Sequence, residues 1–212
     1  MTPTTILVPR GAEAAAVRRA RPHARVLDLT PGVFAAAELP AFDPGERVLV
    51  TGVCGGLWRL RAGDVAIYGR VSDANASADL DPAVVDELTS ALPNAVVANA
   101  CTTRRVVTRV DARTALAQRY NADVVDMEGT HLAAALAAQG VRFGMVRVVS
   151  DDAARDLPPI DDALDAAGRI QPLPIALAFA RAPLAAFSFV RNVGGALSVL
   201  TEVVRAVSGV PA

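Results

Sequence analysis

The chain has 212 residues, 52% of them hydrophobic, and a formal net charge of −1. That length and apolar content suit one full core, read here as a single domain over 1–212, and the near-zero charge, with no basic cluster interleaved with aromatics, excludes the footprint of a polynucleotide binder. All 21 basic residues are arginine, which excludes Schiff-base chemistry on a lysine.

From the amino terminus, short β-branched runs alternate with alanine-rich, helix-competent segments: TTILV, GAEAAAVRRA, ARVLDL, RVLVTG, DVAIYGRV, PAVVDELTSAL and NAVVANA. DARTALAQRY, ADVVDM, GTHLAAALAAQG and RFGMVRVVS continue the alternation. Near-continuous apolar strands are what a sheet covered on both faces requires, so the pattern predicts an α/β fold. The expected form is a three-layer α/β/α sandwich around a central mixed, largely parallel sheet. The polar loop VSDANASADLDP is the candidate mobile surface segment.

Beyond Pro159 the chain turns apolar, and from about residue 172 it forms a helical C-terminal extension broken by Pro174, Pro183 and the Gly194–Gly195 pair. A bilayer span needs roughly 20 uninterrupted apolar residues. Arg181 and Pro183 interrupt this stretch, so it reads as two helices, 175–182 and 184–207. Their expected role is packing against the domain or a dimer partner. The alternative is an apolar lid, or a peripheral membrane surface for a lipid-linked substrate.

The only cysteines are Cys54 and Cys101, and MTPTTILVPR lacks the charged-then-apolar layout of a secretory signal, so a reduced, cytoplasmic setting is expected. Glu128 and His131 form a Glu-x-x-His spacing, but di-metal bundles need two copies and the sequence has one. No metal or other cofactor is expected.

In open α/β sheets ligands gather outside the carboxyl ends of strands. Four strand ends stand out here: VPRGAE, TGVCGGL, DMEG and SDDAARD. Glycines at 52, 55 and 56 would let backbone approach a ligand more closely than side chains allow. Glu13 and Glu128 also have plain readings, as carboxylates favoured by the positive end of a following helix. Asp151 or Asp152 could similarly cap a helix or solvate a loop.

Taken together, VTGVCGGLWRLRAGDVAI, VVDMEG and RVVSDDA resemble, in order and spacing, the nucleoside phosphorylase and nucleosidase superfamily. This superfamily includes the purine nucleoside phosphorylases and 5′-methylthioadenosine/S-adenosylhomocysteine nucleosidase. The resemblance spans Thr4 to about Asp156. The ending RDLPPIDDALDAAGRIQPLPIALAFARAPLAAFSFVRN is similar to the tail of the hopanoid-associated phosphorylase-like proteins, which implies release of adenine from adenosylhopane. ILVPRGAEAA is similar to the futalosine hydrolases, a branch expected to stop soon after the Ser-Asp strand, whereas this chain continues.

The resemblance implies a role for each strand end. Asp151, following Ser150 in the Ser-Asp motif, matches the general acid that protonates a purine at N7, a role that needs a proton on its carboxyl and burial among apolar neighbours to keep it there. Glu128 would accept hydrogen bonds from the two vicinal ribose hydroxyls while Met127 packs against the sugar. Glu13 falls where the nucleosidases place the carboxylate that activates water. Gly52, Val53 and Gly55 form the glycine turn, and Val106 and Val107 fall near the purine-stacking segment without an aromatic residue. Phosphorylases of the superfamily carry Arg-x-Gly-Ser at this turn, where this chain has Val50, Thr51, Gly52 and Val53. That substitution removes the charge-assisted donors a phosphate dianion needs and favours water as the nucleophile. Arg10, Arg59 and Arg61 remain as alternative phosphate contacts from nearby loops. The implied partner is a small purine nucleoside.

Overall fold

The computed structural model describes residues 2–160 and 171–208. Residues 161–170, part of the segment that carries the hopanoid-type resemblance, lie outside the described residues. The strands are β1 (Thr5–Pro9), β2 (Arg25–Leu29), β3 (Arg47–Gly56), β4 (Val65–Ser72), β5 (Ser77–Asp79), β6 (Val96–Thr102), β7 (Val124–Asp126) and β8 (Arg142–Asp151). The helices are α1 (Ala12–Ala20), α2 (Pro82–Ala91), α3 (Val110–Tyr120), α4 (Gly129–Ala138), α5 (Pro172–Arg181) and α6 (Pro183–Val207). Each β-branched run named above becomes a strand and each alanine-rich segment a helix.

The strands form one mixed sheet that is mostly parallel. β1 pairs in parallel with β2 and β3, β3 with β8, β4 with β6, and β6 with β7, while β3·β7, β4·β5 and β4·β8 are antiparallel. Of the two ten-residue strands, β3 changes partners along one edge, while β8 keeps β3 along its whole length and adds β4 on its other edge. β3 lies beside β1 at Val48–Val50 and reaches β7 at Gly55 and Gly56, with β8 along its other edge. The path β3–β8–β4–β6–β7 therefore returns to β3 and closes a ring at the carboxyl end of the sheet. Closure is what brings the ends of β3, β7 and β8 around a common space.

Helices cover both faces, which is why the central strands are largely apolar. On one side Val17 of α1, Val84 and Leu88 of α2 and Leu200, Val203 and Val204 of α6 pack with Ile6, Leu49 and Val146 from the sheet. On the other, Leu132, Ala133 and Leu136 of α4 pack with Leu7, Val50, Tyr68 and Met145. Gly144 is required at one contact, because a Cβ there would lie 2.6 Å from Leu88 Cδ1. The start of α2 is fixed by Asp81, whose side chain accepts from the Ala83 N–H at 2.9 Å, with proline at the first helical position.

Three sequence expectations shift in detail. The expected mobile loop holds a hairpin: the Asp73 carboxylate accepts from the Asn75 and Ala76 N–H groups, and β5 pairs with Arg70–Ser72. The two terminal helices form where expected, but each begins at or before its proline rather than after it, since proline suits a first turn. The second half of α6 belongs to the main core rather than to an appendage. By length and composition α6 could cross a bilayer, yet it is built around buried Ala196, Leu200, Val203, Val204 and Val207. Its first half instead exposes Leu184, Phe187 and Val190.

Candidate active site

The carboxyl ends of β1, β2, β3, β6, β7 and β8, with residues of α1, α3 and α6, surround a cavity of about 590 Å³. Its wall includes Glu13, Val53, Gly55, Val106, Val107, Met127, Glu128, Ser150 and Asp151. Gly52 stands just behind that wall. The carboxylates and the Met-Glu, Ser-Asp and Val-Val residues singled out from the sequence thus gather at one place. The wall also holds Arg113, Asp126 and Arg147, together with Leu157, Ile160, Phe189, Val193 and Leu197.

Glu13 enters from the first turn of α1, after β1 has ended at Pro9 and the chain has turned through Gly11 at φ +107°. Its Oε1 accepts from the Val53 N–H at 2.7 Å. Burial pushes its pKa up to about 7, against the lowering effects of Arg147 and of the Val53 hydrogen bond. The approach depends on Gly52, whose φ of +143° disfavours side chains. A Cβ there would sit 2.6 Å from Glu13 Oε1, 2.8 Å from Arg147 Nη1 and 2.9 Å from Pro9 Cδ. Here glycine makes room for the protein's own carboxylate and guanidinium, a closer constraint than the access to ligand expected from the sequence.

Glu128 follows β7 in the tight turn that opens α4. Asp126 holds this turn: its Oδ1 accepts from Thr102 Oγ1 at 2.7 Å and from the Gly129 N–H at 3.1 Å. A side chain at Gly129 would strike that carboxylate, with a Cβ 2.5 Å from Oδ2, so the Met-Glu-Gly order has a steric basis. Glu128 is 5% exposed. Its Oε1 accepts from the Gly32 N–H at 2.8 Å and its Oε2 from Arg147 Nη2 at 3.1 Å. Burial raises its pKa, and the Arg147 charge works the other way.

Arg147 is 1% exposed in the middle of β8. It also donates to the Val53 carbonyl at 3.3 Å and lies 4.0 Å from Asp126 Oδ2. The sequence reading passed over it, although an arginine inside the apolar run GMVRVVS was a usable signal, because a charge in a covered strand needs a buried partner.

Asp151 is aimed by a β-bulge. Cys54 pairs with Val149 but Gly55 pairs with Asp151, which leaves Ser150 as the extra residue. Ser150 Oγ donates to Asp151 Oδ1 at 2.7 Å, and Arg113 Nη2 donates to Oδ2 at 2.5 Å. Asp151 is buried as expected, but its partners are a serine and a guanidinium rather than apolar side chains. Nothing in DARTALAQRY marked Arg113, since one arginine among polar helix residues looks like a solvated one. Only the fold reveals that it is 1% exposed.

The three arginines proposed as phosphate contacts take different places. Arg10 lies at the cavity edge, pairing with Glu38 at 3.4 Å. Arg59 is bound to Asp123 through two nitrogens, at 2.6 and 2.8 Å, and neither it nor Arg61 lines the cavity. Both deep guanidiniums, Arg113 and Arg147, already face carboxylates. Both cysteines are free, buried and held protonated, with Cys101 pushed up to about 12 by burial. Among the described residues no cluster of metal-ligating side chains occurs.

Known proteins bear on this geometry in three ways. The fold is similar to that of a futalosine hydrolase mutant from Helicobacter pylori, at TM-score 0.72 and 12% identity over 99% of each chain. It is similar also to the H. pylori 5′-methylthioadenosine/S-adenosylhomocysteine nucleosidase, at TM-score 0.71 and 13% identity over 98% of each chain. The S-adenosylhomocysteine nucleosidase of Streptococcus pyogenes gives TM-score 0.72 and 16% identity over 100% of this chain and 99% of that one. The futalosine hydrolase alignment corrects the expectation that this branch stops after the Ser-Asp strand. No curated protein matches at the level of sequence. Residues 35–177, two thirds of the chain, match the phosphorylase superfamily, and with the strand-end motifs and the fold in agreement, the protein belongs to that superfamily.

Proposed function

We propose that the protein is a nucleosidase that hydrolyses the N-glycosidic bond of a purine ribonucleoside. The observation that carries the reading is the convergence of Glu13, Glu128 and Asp151 on one cavity large enough for a nucleoside. Glu13, with a pKa of about 7, is suited to accept a proton from water near neutral pH. The water oxygen bonds to the anomeric carbon as the carbon–N9 bond breaks, and the electron pair of that bond leaves with the base. Glu128 accepts from the ribose hydroxyls, and its charge favours the positive sugar in the transition state. Asp151 passes a proton to N7, so the purine departs neutral. Asp151 lies beside Arg113, and the proton it passes to N7 is balanced over the cycle by the one Glu13 takes from water.

Hydrolysis is favoured over phosphorolysis because the glycine segment, which lies within β3 rather than in the turn expected, lacks the arginine and serine of the phosphorylases, and both buried guanidiniums of the cavity are engaged with carboxylates. The apolar wall formed by Leu157, Ile160, Phe189, Val193 and Leu197 suits an apolar 5′ substituent, and adenosylhopane therefore belongs among the substrates to test. The deciding experiment incubates the protein with purine nucleosides, with and without phosphate, and detects free base and ribose or ribose 1-phosphate. Base and ribose are expected in both conditions. Release only with phosphate would establish the phosphorylase, and no release from any nucleoside would point to a binding protein. Asp151→Asn should lose most activity, and near-normal release would refute the acid assignment.

A further inference from the structure

Arg113 has no role in the chemistry above beyond its partner, yet it is the most completely held side chain in the cavity. Its Nε donates to the Val107 carbonyl at 2.8 Å, and its Nη1 to the carbonyls of Asp152 at 2.9 Å and Gly56 at 3.4 Å. Its Nη2 donates to Asp151 Oδ2. A guanidinium has five N–H donors. Four are accounted for, and the second N–H on Nη2 has no partner among the described residues. Gly55, also in the cavity wall, keeps a side chain off this buried pair: a Cβ there would come within 3.2 Å of Asp151 Oδ2 and 3.7 Å of Arg113 Nη2. The base end of the site therefore offers a charged acceptor and a charged donor side by side, fixed by backbone carbonyls on three segments.

A purine leaving as a neutral molecule carries N–H at N7, beside the substituent on C6. In a 6-oxopurine that substituent is an acceptor, so N7–H meets Asp151 and O6 meets Arg113. In a 6-aminopurine it is a donor, and the amino hydrogens meet the guanidinium hydrogens, leaving buried donors unpaired. We infer that Arg113 selects a 6-oxopurine as the leaving base, in place of the adenine implied by the likeness to hopanoid-associated proteins. This deepens the nucleosidase reading and rests on it for the orientation of the base. A hydrogen bond to a charged group contributes about 1.5 to 3 kcal/mol, so the preference is expected to be roughly ten- to a hundredfold.

The test is calorimetric binding of hypoxanthine, unsubstituted purine and adenine to the intact protein, beside base release from inosine and adenosine. Free-base binding reads the base end without needing hydrolysis or the correct 5′ group. Hypoxanthine should bind tightest, by about tenfold or more over adenine, with purine between them. Arg113→Met should bring the hypoxanthine-to-adenine ratio close to one, while Arg113→Lys retains part of the preference. If the variants do not fold, the three wild-type affinities still decide. Adenine binding as well as or better than hypoxanthine, or no binding of any base, overturns the inference. Hypoxanthine preference with no hydrolysis of any nucleoside would leave the base selectivity standing and overturn the nucleosidase reading.

Discussion

At the scale of single residues, the site is a set of carboxylates kept apart by two buried arginines. Glu13 must be ionised to take a proton from water, so base release should fall as pH drops below about 7, the value to which burial raises this group. A pH profile of kcat/KM checks this, and Glu13→Gln should lower kcat by about 10² to 10⁴ and abolish that acid limb. Glu128 accepts from backbone and guanidinium in the free protein and has lone pairs left for the sugar. A 2′-deoxynucleoside should lose about 1.5 to 3 kcal/mol of transition-state stabilisation, read as a drop in kcat/KM against the ribonucleoside. Comparable turnover of the two would remove Glu128 from the sugar site. Gly52→Ala meets a strained φ and three atoms inside contact distance. It should cut activity about a hundredfold by displacing Glu13 or Arg147, and lower the melting temperature as well.

At the scale of elements, three local devices place the side chains: the positive φ at Gly52, the bulge that leaves Ser150 unpaired, and the Asp126–Gly129 turn that opens α4. Each is a departure from regular geometry, the first inside β3 and the other two at the carboxyl ends of β8 and β7, where a rigid sheet supports an irregular loop. The sequence showed two of these positions, through the glycine turn and the Asp-Met-Glu-Gly motif, because only glycine meets their steric demands. It did not show the bulge, since the β-branched run before Ser150 gives no local sign of an extra residue. α6 combines two functions along one helix. Phe189, Val193 and Leu197 face the cavity, and Leu200, Val203 and Val204 anchor the helix in the core. Leu200→Ala at a fully buried position should cost about 2 to 5 kcal/mol, measured by denaturant unfolding. A loss under about 0.5 kcal/mol would mean that the helix is not an integral part of the core.

At the scale of the whole molecule, placing Glu13 in a buried site weakens the fold at neutral and alkaline pH. Its pKa in the folded protein, about 7 against 4.5 for the ordinary side chain, means that the folded state binds the proton more tightly. The stabilisation it confers is full below pH 4.5 and is lost as pH rises through 7. Glu13→Gln should therefore be more stable than the wild type at pH 8, by up to a few kcal/mol, with the difference shrinking below pH 5. Equal stabilities at pH 8 would show that Glu13 is well solvated. The fold class was legible because hydrophobic period and strand–helix alternation are local properties of the chain. The strand-end carboxylates and glycines were legible because each motif is short and contiguous. What the sequence could not contain was the pairing of Arg113 with Asp151, 38 residues away, and of Arg147 with Glu128 in the turn after β7. Those contacts exist only because β3 changes partners and closes a ring, bringing distant segments to one cavity. A charge's partner is fixed by distance in space, so the same arginine reads as solvated in the sequence and as part of the site in the fold.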